Sequence, residues 1–137
     1  MTNPLTMPEP AAVPPPDDHD AIVELRTTFA RREDAVACAE RLVRERLAAC
    51  VQMDGPITSV YRWDGVVETA EEYRFTCKTS RARAAACMAA IGATHSYQTP
   101  ELIVSDVLAS PAYAAWVRSS VAVEHRSGDG LDAGDSS

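Results

Sequence analysis

One histidine, a few charged residues set among strands and a group of aromatics carry whatever chemistry this sequence holds. His95 is the only histidine between residues 20 and 123. An imidazole in a loop between a helix and a strand serves either as a metal ligand or as a structural hydrogen-bonding group, and one imidazole alone makes no high-affinity metal site. Glu72, Lys78 and Glu101 fall inside or beside predicted strands. They form either a solvated sheet face or ion pairs that fix subunit register, or else a polar pocket between subunits. In such a pocket Lys78 would meet an anionic group, Glu72 and Glu101 a cation, and Tyr61, Trp63 and Tyr97 would be the walls. Cys50 is the thiol best placed for a soft metal, or a buried, inert packing residue. Nucleophilic catalysis needs a base beside a nucleophile, and His95 would have to serve nearly every mechanism. No Ser-His-Asp-type segment, zinc-hydrolase motif or cofactor fingerprint is present, so a non-catalytic role is expected.

Charge and composition narrow the partners. The chain has 137 residues, which suits one domain, and a net charge of −7. Residues 21–123 carry twelve acidic and twelve basic residues, so the acidic excess lies at the two ends. A balanced core with no basic stripe argues against nucleic acid as a partner. Six of the nine prolines fall within the first sixteen residues. Residues 1–19 therefore read as a disordered Pro-rich arm, residues 20–123 as the folded domain and residues 124–137 as a disordered acidic tail. Neither end has a basic region followed by an apolar run, and no apolar stretch approaches the ~20 residues of a membrane span. The four cysteines lack CxxC spacing and read as reduced thiols. A cytoplasmic protein with no membrane partner is expected.

The elements that must position these groups follow from periodicity. Residues 21–28 form a short β-prone run. A helix is expected over about residues 31–47, with Val36, Ala39, Val43 and Leu47 at three- and four-residue steps and Leu42 widening the stripe. Residues 49–53 are extended, Asp54-Gly55-Pro56 interrupts them as a bulge or bend would, and residues 57–63 resume the alternation. Asp64-Gly65 between β-prone flanks is a hairpin signal, because both central turn positions favour positive φ. The return strand spans residues 66–79, with Tyr73, Phe75 and Cys77 on one face and Arg74, Thr76 and Lys78 on the other.

A second helix is expected over residues 81–91, with Ser80 as N-cap and Gly92 just beyond its end. A strand over residues 102–108 follows. A third helix opens at Ser110-Pro111 and buries Tyr113, Trp116 and Val117. The order β-α-β-β-α-β plus a terminal helix implies an α+β, ferredoxin-like fold: a four-stranded antiparallel sheet, two helices on one face, the other face left without helices, and a long central hairpin. The hairpin overhangs the sheet and carries Val60, Tyr61 and Trp63 outward, which implies self-association.

Several of these segments resemble one known family. Leu47-Ala48-Ala49-Cys50-Val51 and Thr58-Ser59-Val60-Tyr61-Arg62-Trp63-Asp64-Gly65 are similar to the second strand and hairpin of the CutA, or divalent-cation tolerance, family. Glu68, Glu72 and Lys78-Thr79 resemble its third strand, His95-Ser96-Tyr97-Gln98-Thr99-Pro100-Glu101-Leu102 its His-Pro-Tyr-x-x-Pro-Glu segment, and Tyr113 and Trp116 its last helix. The resemblance implies a ferredoxin-like protomer and a homotrimer with long hairpins paired between subunits. It also implies a role in tolerance of divalent cations, copper in particular, and no enzymatic activity. The family's copper ligands include a cysteine at the end of the first strand and two adjacent histidines. Thr27 and Thr94-His95 stand there in this chain, so only His95 remains as a metal ligand and copper or zinc would be held weakly. The family's PII-like architecture implies an alternative, a sensor of a nucleotide or metabolite. PII-type regulation uses a long loop between the second and third strands, where this sequence has Asp64-Gly65.

Overall fold

The computed structural model describes residues 13–123. The expectations for residues 1–12 and for the acidic tail lie outside the described residues. Ahead of the first strand, a 3-10 turn (Asp18–Asp20) is closed by Asp17, whose side chain accepts from the His19 N–H at 2.8 Å. Arg118 donates to the His19 carbonyl at 2.7 Å and joins this turn to the last helix.

The elements are β1 (Ala21–Phe29), α1 (Arg32–Arg44), β2 (Cys50–Trp63), β3 (Val66–Thr79), α2 (Arg81–Thr94), β4 (Ile103–Leu108) and α3 (Pro111–Val121). The four strands make one sheet in the order β2-β3-β1-β4, every neighbouring pair antiparallel. This is the expected split βαβ arrangement. Alternation along β1 and β3 sends Val23, Leu25, Phe29, Phe75 and Cys77 to one face, where they pack with Ala35, Cys38 and Leu42 of α1 and Cys87 and Ile91 of α2. None of the described helices is long and apolar enough to cross a membrane.

Three expectations need correction. The first helix ends at Arg44, not near residue 47, because Arg46 takes a left-handed conformation (φ 57°). The Leu47 N–H then bonds the Leu42 carbonyl at 2.8 Å and the Arg46 N–H that of Val43 at 3.1 Å, a Schellman closure that sends Leu47 and Ala48 back into the core. The buried stripe is Ala35, Cys38, Ala39 and Leu42, and Val43 lies on the exposed side. The second helix runs through Gly92 to Thr94, about one turn further than expected, and so delivers His95 as its C-cap. Thirdly, the second face of the sheet is not bare. Ala114 and Val117 of α3 pack with Ile22 on that face, and Trp116, expected to be buried, stays 47% exposed.

The hairpin turns in two residues, Asp64 (φ 51°) and Gly65 (φ 79°), and leaves no long loop between β2 and β3. β1 pairs with β3 only from Tyr73 onward, so the seven pairs from Ile57↔Glu72 to Trp63↔Val66 form a two-stranded arm beyond the sheet. At about 3.3 Å per residue the arm is roughly 23 Å long.

Cys38, Cys77 and Cys87 are buried, and the Cys77 and Cys87 sulfurs lie 3.8 Å apart as free thiols. The contact with the Cys87 sulfur, together with burial, pushes the Cys77 thiol up from its ordinary range. Iodoacetamide labelling followed by peptide mass mapping is expected to modify Cys50 in the native protein and the other three cysteines only in denaturant.

Candidate functional site

The site begins with a break in register. Pairing of β2 with β3 runs from Cys50↔Lys78 to Asp54↔Arg74, then resumes at Ile57↔Glu72, so Gly55 and Pro56 stand against the single residue Tyr73. Gly55 has φ 146°, and a Cβ there would lie 2.9 Å from the Glu72 carbonyl oxygen, which only glycine tolerates. Val51 and Met53, ahead of the bulge, pack on the helix-side core. The extra residue offsets the alternation by one. Beyond it, Ser59, Tyr61 and Trp63 share the face of Glu72, away from α1 and α2.

The second wall comes from the segment after α2. The His95 ring stacks on Phe29 with centroids 4.4 Å apart and planes 14° apart. Its Nδ1 accepts the Tyr97 N–H at 3.1 Å, which places the ring proton on Nε2. That Nε2 donates to the Thr28 carbonyl at 2.7 Å, with the Thr27 hydroxyl 3.2 Å away. Held in this way, the chain carries Tyr97 over the end of β1, where its hydroxyl donates to Glu72 Oε2 at 2.8 Å. The Thr28 hydroxyl donates to the same oxygen at 3.1 Å.

These side chains bound a cavity of about 680 Å³ whose lining includes Thr28, Tyr61, Trp63, Glu72, Tyr97 and Glu101. Glu72 is 9% exposed and takes part in none of the ion pairs among the described residues. Burial alone would raise its carboxyl, but hydrogen bonding from the Ser59, Tyr97 and Thr28 hydroxyls outweighs burial and holds it below the usual carboxylate range. Burial and the Glu72 carboxylate push the Tyr97 phenol in the opposite direction, so it stays a donor.

Five of the six residues expected to form a pocket, Tyr61, Trp63, Glu72, Tyr97 and Glu101, line this one cavity. Lys78 does not. It lies six residues along β3 from Glu72, about 20 Å at strand rise, and donates to Gln52 at 2.7 Å. Within one chain, therefore, no basic group lines the cavity. Thr28 and Ser59 are members that sequence reasoning missed. Ser59 follows from alternation once the bulge is counted as one extra residue, whereas nothing in the pattern of β1 marks Thr28.

The donor set within one chain does not fit a copper or zinc ion. Both ring nitrogens of His95 already serve protein partners, and the oxygen near Nε2 is a threonine hydroxyl, a poor ligand for borderline metals. Among the described residues no three His, Cys, Asp or Glu side chains converge. Cys50, on the far side of the bulge, influences Tyr113 rather than His95. His95, expected as a metal ligand, is instead placed as the pin that fixes the Tyr97 segment.

Comparison with known proteins agrees with this architecture. The family model for the CutA1 divalent ion tolerance protein matches residues 23–120. A probable divalent-cation tolerance protein cutA homolog from Encephalitozoon cuniculi is 36% identical over 95 residues, covering 69% of this chain and 82% of that protein. The divalent-cation tolerance protein CutA of Escherichia coli is 33% identical over 84 residues, covering 61% and 75% respectively. The crystal structure of CutA from Xylella fastidiosa superposes with a TM-score of 0.72 at 31% identity, over 74% of this chain and 98% of that one.

Two substitutions test the geometry. His95→Ala is expected to cost about 2 kcal/mol in urea unfolding, through lost stacking and hydrogen bonds, while copper(II) uptake in equilibrium dialysis stays at the parent level. Glu72→Gln weakens two charge-assisted hydrogen bonds and is expected to cost about 1 kcal/mol at neutral pH. A carboxyl whose folded pKa is depressed stabilises the fold above its unfolded pKa, and that contribution is lost as pH falls through the folded value. Urea curves of parent and Glu72→Gln should therefore converge below the ordinary carboxylate range.

Proposed function

The chain belongs to the CutA1 divalent ion tolerance protein family, and from that premise we propose that it is a cytoplasmic, non-catalytic homotrimer that binds a small ligand in the Glu72 cleft. The observation that carries the assembly is the arm. Alternation past the bulge puts Val60 and Val67 on one of its faces and Tyr61, Trp63 and Val66 on the other, all between 43% and 66% exposed in a single chain. A hairpin apolar on both faces needs cover on both faces, and a lone two-stranded ribbon of this length is marginal in water. Neighbouring copies of the same arm supply that cover with closed symmetry, which also answers the aggregation hazard of an apolar edge.

In this reading the trimer completes a cleft that each chain builds only in part, because Tyr61 and Trp63 project from the arm. The non-catalytic assignment rests on how the candidate bases are engaged: both ring nitrogens of His95 serve protein partners, and the Glu72 carboxylate accepts from the Thr28 and Tyr97 hydroxyls. The role in divalent-cation tolerance comes from the names of the relatives. Since the residues of one chain do not fit copper or zinc, the protein would take part in that response through the occupancy of its cleft rather than by sequestering metal at His95.

Light scattering of the purified protein in dilute buffer is expected to give roughly 44 kDa, three times the 14.8 kDa chain. Val67→Asp, which sets a charge on the arm away from Glu72, is expected to shift the mass toward that of one chain. A folded wild-type monomer would end the proposal.

A further inference from the structure

The walls of the Glu72 cleft specify a chemical class of ligand. Its ionisable lining is two carboxylates, Glu72 and Glu101, and two phenols, Tyr61 and Tyr97, and within one chain no lysine, arginine or histidine lines it. Glu72 is nearly buried in the cleft wall, its carboxylate held chiefly by hydroxyl donors, with the more distant His95 ring the smallest contributor and no ion pair among the described residues. A carboxylate withdrawn from water in this way gains strongly from an incoming positive charge. Around it stand Tyr61, Trp63 and Tyr97, whose rings present negative π-faces to a cation. The volume, about 680 Å³, is in the range of small-molecule sites.

We propose that the cleft takes a small organic ammonium ion, with its nitrogen charge against Glu72 and Glu101 and its methyl or methylene groups against Tyr61, Trp63 and Tyr97. The proposal deepens the reading of the cleft as the ligand site and rests on it. A hard divalent cation suits these walls less well, because it demands about six oxygen ligands, and Glu72 Oε2 already accepts two hydroxyl donors. An anionic ligand, such as a nucleotide phosphate, meets two carboxylates and no counter-charge.

The depressed Glu72 carboxyl adds a directional consequence. Glu72 keeps its charge as pH falls into the ordinary carboxylate range, so its contribution to ammonium binding should persist there and fail only in stronger acid.

The test is calorimetric titration of the full-length protein with choline and with neohexyl alcohol, in which carbon replaces the choline nitrogen and the shape is kept. Choline is expected to bind at least about tenfold more tightly than the alcohol. Glu72→Gln and, separately, the exposed Glu101→Gln should each weaken choline and leave the alcohol unchanged. Near-UV circular dichroism verifies that the variants are folded, and Glu101→Gln decides the matter if Glu72→Gln is not. Equal affinity for the two probes, no heat with choline, or stoichiometric displacement of choline by magnesium chloride would each overturn the proposal. Light scattering on the same samples separates the two claims. A trimer that ignores choline removes the ligand class and keeps the assembly, whereas a monomer that binds choline removes the assembly and keeps the ligand class.

Discussion

Gly55 and Pro56 of β2 stand against one residue of β3, and the rest of the site depends on that mismatch. A β-strand has a side-chain period of two, so one extra residue exchanges its faces from that point onward. Val51 and Met53 reach the helix-side core, and Ser59, Tyr61 and Trp63 then emerge beside Glu72. Had the ladder run without the bulge, the same alternation would have pointed Tyr61 and Trp63 to the helix side of the arm. The backbone approach at Gly55 is too close for any Cβ, so the offset is tied to glycine at that position.

A second constraint closes the cleft from the opposite side. α2 extends a turn past the point where Gly92 was expected to stop it and brings His95 against Phe29 at the end of β1. The imidazole then links three backbone or side-chain groups, and through Tyr97 this network reaches Glu72. The networked carboxylate keeps its charge through hydroxyl donors rather than an ion pair. It remains available to a cation from outside the chain, at a desolvation cost the fold already bears. Structure and electrostatics are therefore coupled here: the hydrogen bonds that hold the segment are also those that keep Glu72 ionised.

The hairpin serves two purposes. Its base belongs to the sheet, with Phe75 and Cys77 fully buried, while its far half carries apolar side chains on both faces. Such an arm conflicts with a chain that stays alone in water and agrees with one completed by copies of itself. Coverage of the second face of the sheet follows the same division. α3 shields Ile22 with Ala114 and Val117, and the cleft occupies the end where β1 meets the arm.

Much of this was legible in the residues. The element order, the two-residue turn at Asp64-Gly65, the Ser80 and Ser110 caps and the alternation of Phe75 and Cys77 all rest on local rules, namely side-chain period, positive φ and capping chemistry, that operate within a few residues of chain. The aromatic and acidic members of the cleft were legible as residue types for the same reason. What needed the tertiary structure was every relation between distant segments. Arg46 accepted a left-handed conformation because Leu47 and Ala48 gain burial by turning inward. Lys78 parted from Glu72 because six residues of one strand separate them, while Thr28 and Tyr97 joined it across 44 and 25 residues of sequence. His95 became a pin rather than an open ligand because Phe29, Thr28 and the Tyr97 N–H surround it only after β1, α2 and the segment that follows have packed. Sequence periodicity assigns a side chain to a face; which groups meet on that face is set by register and by packing over long separations, and those are properties of the folded chain alone.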